Sequence, residues 1–288
     1  MTEKFTYIVG DIHGCVDEMH DLESLCTEHA TRNGTKAFFV SLGDLIDRGP
    51  GSKEVLLHYF NGSKNGTHAC ILGNHEQEFL VNLFSFNQKL YNELNVPKPH
   101  HFLTHSESHE GGEWLATHLN YPDYSTTCRS LWIGQGGIKT LESFRFDPNS
   151  PETWNIAPDL LNWIATLPLW LEGNNWIVTH GLISLVDWNQ LQYTPQLNSE
   201  SASDQNEIEL KIWRKAIRGA LWNRDAQQDR LDPHKFHISG HTPMDKVKRG
   251  VRNGRIQIDT GAVYGGKLTA WCAETNSLHA VKAATHWI

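Results

Sequence analysis

Five short clusters join glycine to side chains able to bind a metal ion. They are Gly10-Asp11-Ile12-His13-Gly14, Gly43-Asp44, Gly73-Asn74-His75-Glu76, His180-Gly181 and Gly240-His241-Thr242-Pro243. The ligand set they offer is Asp11, His13, Asp44, Asn74, His180 and His241. Carboxylates, imidazoles and one amide oxygen suit borderline divalent ions such as Mn²⁺, Fe²⁺ or Zn²⁺. Six ligands exceed the need of one catalytic ion that keeps an open position. Shared between two ions, with one carboxylate bridging, they suit a metal pair about 3.5–4 Å apart that clamps phosphoryl oxygens during in-line displacement. Any one of these residues alone reads as an ordinary turn or capping residue; five clusters of one make-up do not.

Something must bring clusters so far apart in sequence to one place. Each follows a short apolar or β-branched run, at residues 5–9, 37–42, 69–72, 176–179 and 236–239, and each run reads as a buried strand ending in a sharp turn. Helical spacing follows in Met19, Leu22, Leu25 and Cys26, then in Val55, Leu56, Tyr59 and Phe60, with Ser52 placed to cap that second helix. Phe79, Leu80, Leu83 and Phe84 begin a third. Strand, turn and helix repeated in this way predict an α/β domain. Ligands of open α/β sheets sit beyond the carboxyl ends of the strands, where every cluster falls.

Further along, residues 255–258, 267–273 and 278–283 read as closely spaced strands. Residues 198–207 read as an exposed polar loop before a helix at 208–221. Residues 82–166 separate the third turn from the next strand by far more than a normal connection. The expectation is a single domain over residues 1–288 with a mainly helical insertion at about 82–166. The insertion leaves from the helix behind Asn74-His75-Glu76 and returns just before the strand that presents His180, so it is placed to form a wall or lid over the cleft, the alternative being a small satellite core of its own.

The chain has 288 residues, 39% apolar content and a formal charge of −8. No long basic run points to nucleic acid or to an anionic membrane surface, and an anionic substrate would need bound cations. The cysteines (Cys15, Cys26, Cys70, Cys128 and Cys272) are scattered and odd in number, which reads as reduced thiols in a cytoplasmic protein. No run approaches the roughly 20 apolar residues of a membrane span. The tryptophans, spread from Trp114 to Trp287, read as packing residues. His101, His105 and His109 repeat every four residues beside His100, but Pro97, Pro99 and Gly111-Gly112 argue for a solvated segment.

Gly-Asp-x-His-Gly, Gly-Asp-x-x-Asp-Arg-Gly, Gly-Asn-His-Glu, His-Gly and Gly-His-Thr-Pro occur here in that order. The set resembles the phosphoprotein phosphatase branch, bacterial type, of the calcineurin-like metallophosphoesterases, over roughly residues 8–265 apart from the insertion. The resemblance implies two mixed β-sheets packed as a sandwich and flanked by helices. It implies phosphomonoester hydrolysis by a metal-bound hydroxide with two divalent ions, Mn²⁺ foremost, and Fe or Zn as other candidates. Asp11, His13 and Asp44 would hold the first ion; Asp44 would bridge to a second held by Asn74, His180 and His241. His75 would be the general acid, oriented by Asp47, and Arg48 would bind the phosphate in bidentate fashion. Arg224, in Leu221-Trp222-Asn223-Arg224, and Tyr264, in Tyr-Gly-Gly, resemble further substrate-phosphate contacts of the family.

Within that branch two substrates compete. Asp47 and Glu76 resemble the serine/threonine protein phosphatases. Arg48-Gly-Pro-Gly-Ser52, Asp259-Thr-Gly and Gly265-Gly266-Lys267-Leu268 resemble bacterial dinucleoside tetraphosphate hydrolases, which often lack the Asp47 carboxylate and carry Asp where this chain has Glu76. The balance leans to a protein phosphatase acting on phosphorylated protein or small phosphoesters, with the tetraphosphate hydrolase as the alternative. A non-catalytic scaffold would have lost a ligand, and none is missing.

Overall fold

The computed structural model describes residues 4–86, 129–192, 204–225, 229–250 and 254–287. The histidines at 100–109, Trp114, Cys128 and residues 198–203 lie outside the described residues. The chain opens with β1 (Lys4–Val9), α1 (Val16–Arg32), β2 (Lys36–Ser41), α2 (Ser52–Lys64), β3 (His68–Cys70) and α3 (Asn74–Phe86). From the insertion come a π-helical turn at Ile133–Gly137, α4 (Ile138–Phe144) and α5 (Pro158–Ala165). Then follow β4 (Trp170–Glu172), β5 (Trp176–Thr179), α6 (Leu185–Leu191), α7 (Asp204–Trp222) and β6 (Phe236–Ser239). The end of the chain is strand-rich: β7 (Lys248–Gly250), β8 (Arg255–Gln257), β9 (Lys267–Cys272) and β10 (Ser277–Lys282).

These strands form two five-stranded sheets, ordered β10-β9-β1-β2-β3 and β4-β5-β6-β8-β7. In each, three neighbouring strands run parallel and the others antiparallel, so both sheets are mixed. Successive side chains of a strand point to opposite faces, which divides each strand between two cores. From β1, Ile8 joins Val40 and Trp271 against Trp176, Val178, Ile238 and Ile256 of the other sheet. That cluster is the interior of the sandwich. Tyr7 and Val9 turn the other way and meet Met19, Leu22 and Cys26 of α1 with Val55 and Leu56 of α2. Because both faces are covered, the strands read as near-continuous apolar runs rather than alternating ones.

Two local expectations change. Gly51, not Ser52, occupies the N-cap of α2, and no side chain caps that helix. Ser52 Oγ instead accepts the Asp47 backbone N–H at 3.0 Å, one turn away in the active loop. Residues 204–207, expected as loop, form the first turn of α7. The described part of the insertion is helical, and it joins the main core rather than a separate one: Trp132, Leu141 and Trp154 pack there.

Candidate metal centre

All six parallel strands end at the same edge of the sandwich, and each delivers a polar residue there. β1 leads to Asp11 and His13, β2 to Asp44, β3 to Asn74 and His75, β5 to His180, β6 to His241 and β8 to Asp259. The turns are tight enough to force unusual backbone. His13, Asp44, Asp47, Arg48 and His241 all have positive φ, from 47° to 70°. Left-handed backbone costs an L-residue on the order of 1–3 kcal/mol and persists only where surrounding structure imposes it. Here it turns Asp44 toward both His13 and His241, with Asp47 and Arg48 in the loop beside them. Two glycines allow the close approach: a Cβ on Gly240 would collide with Asp11 Oδ1, and one on Gly73 with the backbone and carboxylate of Asp44.

Asp11, His13, Asp44, Asn74, His180 and His241 are all buried and come together around Asp44. Asp44 Oδ2 lies 3.5 Å from His13 Nε2 and 3.3 Å from His180 Nε2. Ligand atoms of His13, Asp44 and His75 lie within 4.8 Å of one another, as do those of Asp44, His180 and His241. Asp44 belongs to both groups, where a bridging ligand must stand. Asp11 reaches the centre differently: Oδ2 accepts the His241 backbone N–H at 2.9 Å, while Oδ1 is buried without a partner.

The donor set fits divalent cations, and three observations say so. The first is that orphaned carboxylate oxygen, since buried polar atoms are otherwise paired. The second is repulsion among carboxylates. Burial, and then the charge of Asp259, push Asp11 well above the usual carboxylate range. Asp259 itself is pushed up to about 6, chiefly by burial and with Asp44 adding. The third is the direction of lone pairs. His13 Nδ1 donates to the Ile46 carbonyl at 2.8 Å and His180 Nδ1 to the Leu42 carbonyl at 2.7 Å, leaving each Nε2 aimed inward. Anchoring one ring nitrogen on a carbonyl in this way orients the other toward a metal. Asn74 Oδ1 has His180 Nε2 at 2.9 Å and His241 Nδ1 at 2.8 Å. Only a proton or a cation can sit among those atoms. Burial opposes a charge on His180, but Asp44 outweighs it and raises the ring to about 9. His241 is driven down to about 2 by burial and by His180.

His75 lies beside these residues and groups with His13 and Asp44. Its Nδ1 donates to Asp47 Oδ2 at 2.6 Å, and its Nε2 points to the centre, 3.9 Å from Asp44 Oδ2. Burial opposes protonation of His75, but the charges of Asp44 and Asp47 prevail and raise it. Asp47 is fully buried and receives two further donors that the sequence did not reveal: Trp132 Nε1 at 2.7 Å and Thr140 Oγ1 at 2.5 Å. Both come from the insertion. Glu76 is another supporting residue, accepting the backbone N–H groups of Asp44, Leu45 and Gly73 at 2.8–3.0 Å. It ties the turn after β2 to the turn after β3.

Arg48 stands at the mouth. Its Nη1 meets His13 Nε2 at 2.6 Å, its guanidinium lies 5.6 Å over the Tyr264 ring, and its backbone N–H donates to the Gly136 carbonyl of the insertion. Tyr264 is 38% exposed, on the outer side of the Arg48 guanidinium. Arg224 is exposed two residues beyond Trp222, whose carbonyl lies 3.2 Å from His241 Nε2. Its positive charge is felt at His241, so Arg224 lies on the His241 side of the centre.

A sandwich of mixed sheets with Asp, His and Asn gathered at the strand ends defines a metal-dependent phosphoesterase architecture. The chain belongs to the calcineurin-like phosphoesterase family, whose model matches residues 6–270. It is 25% identical to a symmetrical bis(5'-nucleosyl)-tetraphosphatase of Tolumonas auensis, covering 98% of each chain. An asymmetrical bis(5'-nucleosyl)-tetraphosphatase of Bacillus subtilis is 24% identical over 92% of this chain and 88% of that protein. In fold it is similar to a cold-active protein-tyrosine phosphatase of a Shewanella species, with a TM-score of 0.51 and 15% identity over 100% of this chain and 81% of the other.

Proposed function

We propose that this chain is a dinuclear metal-dependent hydrolase that cleaves a phosphoanhydride bond of dinucleoside tetraphosphates. The observation that carries the reading is end-to-end similarity to bis(5'-nucleosyl)-tetraphosphatases, with 98% of both chains covered in one case. The protein-phosphatase motifs Asp47-Arg48-Gly and Asn74-His75-Glu76 lean the other way, but structural similarity to a protein phosphatase at 15% identity speaks only of the fold. The full-length relatives therefore move the balance to the dinucleotide.

Asp11, His13, Asp44, Asn74, His180 and His241 would hold two divalent ions, with Asp44 between them. Such ions polarise phosphoryl oxygens and acidify water. The chain's own groups account for the rest. Arg48 and Arg224 would grip phosphate oxygens, which a guanidinium does through two parallel N–H bonds. Water adds to phosphorus, the bridging P–O bond breaks, and His75 Nε2 supplies the proton that the leaving oxygen takes up. Asp47 holds the other nitrogen of His75 and keeps the ring in place throughout.

The test is a side-by-side assay of purified protein with Mn²⁺ against diadenosine tetraphosphate, a phosphoserine peptide and p-nitrophenyl phosphate. The expected kcat/KM for the dinucleotide exceeds that for the peptide by about 10² or more, the scale of discrimination that matched polar contacts achieve. A peptide turned over faster than the dinucleotide would restore the protein-phosphatase reading.

A further inference from the structure

Beside Arg48 lies a hollow of about 340 Å³ that the proposed chemistry at the metals does not use. Its size falls within the range of small-molecule sites. Two exposed aromatic rings line it, Tyr264 at 38% and Trp287 at 41% exposure, with Ile133 and Ile138 beside them. Lys139 adds a cation at the edge, where its Nζ is 2.8 Å from the exposed Glu142 carboxylate. One wall is the backbone of the π-helical turn, Gly134-Gln135-Gly136, whose carbonyl and amide groups can meet polar edges of a ligand.

This hollow is coupled to the phosphate clamp. The Gly136 carbonyl accepts the Arg48 N–H at 3.0 Å, and the Gln135 carbonyl lies 3.4 Å from Arg48 Nε. The same Arg48 reaches His13 with Nη1 and shelters the Tyr264 ring. The backbone N–H of Trp287 donates to the Val263 carbonyl at 3.0 Å and ties that segment down. A ligand with phosphate on Arg48 would therefore lie in a hollow lined by both aromatic side chains. Flat rings stack on such faces with little regard to which base they belong to.

We infer that this hollow is a nucleoside subsite, in which Tyr264 and Trp287 stack a nucleobase while Arg48 grips the adjoining phosphates. The inference rests on the nucleotide reading above and adds the residues that recognise the base. Lys139 is placed to meet an outlying phosphate, and the glycine turn leaves the base edge free to pair with backbone.

Two variants test it. Trp287→Ala removes a stacking face. Gly134→Leu fills the hollow: a Cβ there meets nothing within 4 Å and the residue lacks positive φ, so the backbone tolerates the change. For both, the ratio of kcat/KM on diadenosine tetraphosphate to kcat/KM on p-nitrophenyl phosphate, which has no base, should fall at least about tenfold. Inhibition of p-nitrophenyl phosphate turnover by ADP should weaken by a similar factor, while inhibition by inorganic phosphate should not. Equal loss on both substrates, or unchanged ADP inhibition in both variants, overturns the inference. If the wild-type protein leaves the dinucleotide intact, the functional reading fails, and ADP competition still decides the subsite on its own. A shift seen only with a phosphopeptide assigns the hollow to peptide and also overturns it.

Discussion

At the scale of single residues, the decisive arrangement is the carboxylate of Asp47 with His75, Trp132 and Thr140 gathered on it. Removing a proton donor costs about 10²–10⁴-fold in rate, so His75→Asn should lose that much on an alkyl phosphate. On p-nitrophenyl phosphate, whose leaving group needs little protonation, the loss should shrink, and equal losses on the two would show that His75 is not the acid. Thr140→Val keeps the volume but removes one donor, leaving Asp47 Oδ1 short of a partner. Losing a residue that orients a catalytic group in this way should lower kcat on the alkyl phosphate about tenfold. A normal rate in that variant would reduce Thr140 to a packing residue. Asp47 and His75 are legible in the sequence because they sit inside the glycine-flanked clusters. Trp132 and Thr140 are not, since they stand 85 and 93 residues from Asp47 and reach it only through tertiary packing. An isolated tryptophan reads as core, and Trp132 is core; its indole N–H carries the additional role.

At the scale of elements, the turns matter more than the strands. Asp11 and His241 approach because Gly240 has no Cβ, so Gly240→Ala should weaken Mn²⁺ binding about tenfold or more, as measured by calorimetry, because it pushes on a ligand. Unchanged affinity would mean that the turn relaxes freely. The helices behind the first sheet are joined by Glu23 of α1, which accepts from His58 Nε2 of α2 at 2.8 Å and lies 3.2 Å from His68 Nε2 of β3. Burial opposes its charge, but those hydrogen bonds outweigh the burial and lower it from 4.5. A depressed carboxyl stabilises the fold above its unfolded value and ceases to do so as pH falls through its folded value. Glu23→Gln should therefore lower Tm by a few degrees at neutral pH, corresponding to about 1–2 kcal/mol. That gap should close as pH falls below 4.5, and a gap independent of pH would contradict the role. The strand ends were readable because each buried run stops at a glycine-flanked ligand. The cap of α2 was misread because Ser52 serves Asp47 instead of its own helix, a long-range demand that local capping rules do not contain.

At the scale of the molecule, the two sheets place their parallel strands' carboxyl ends along one edge. Ligands drawn from residues 11 to 241 meet there, and three buried carboxylates, Asp11, Asp44 and Asp259, crowd a chain whose formal charge is already −8. Divalent cations held among them would relieve that crowding and would let an acidic protein receive an anionic substrate. The sandwich was legible through the ordered motifs and the resemblance they carry; the pairing order of the sheets was not, because strands so short hold no register signal of their own. Among the described residues no helix is long and apolar enough to cross a membrane. The described end of the insertion supplies the wall of the hollow and two of the donors to Asp47, so it builds part of the site as well as part of the core. The central claim, that Asp44 is shared by two ions, is tested most directly by elemental analysis of Mn²⁺-loaded protein. The account predicts two ions per wild-type chain and loss of both, with collapse of turnover, in Asp44→Asn. One ion per wild-type chain, or full metal content and activity in Asp44→Asn, would contradict it.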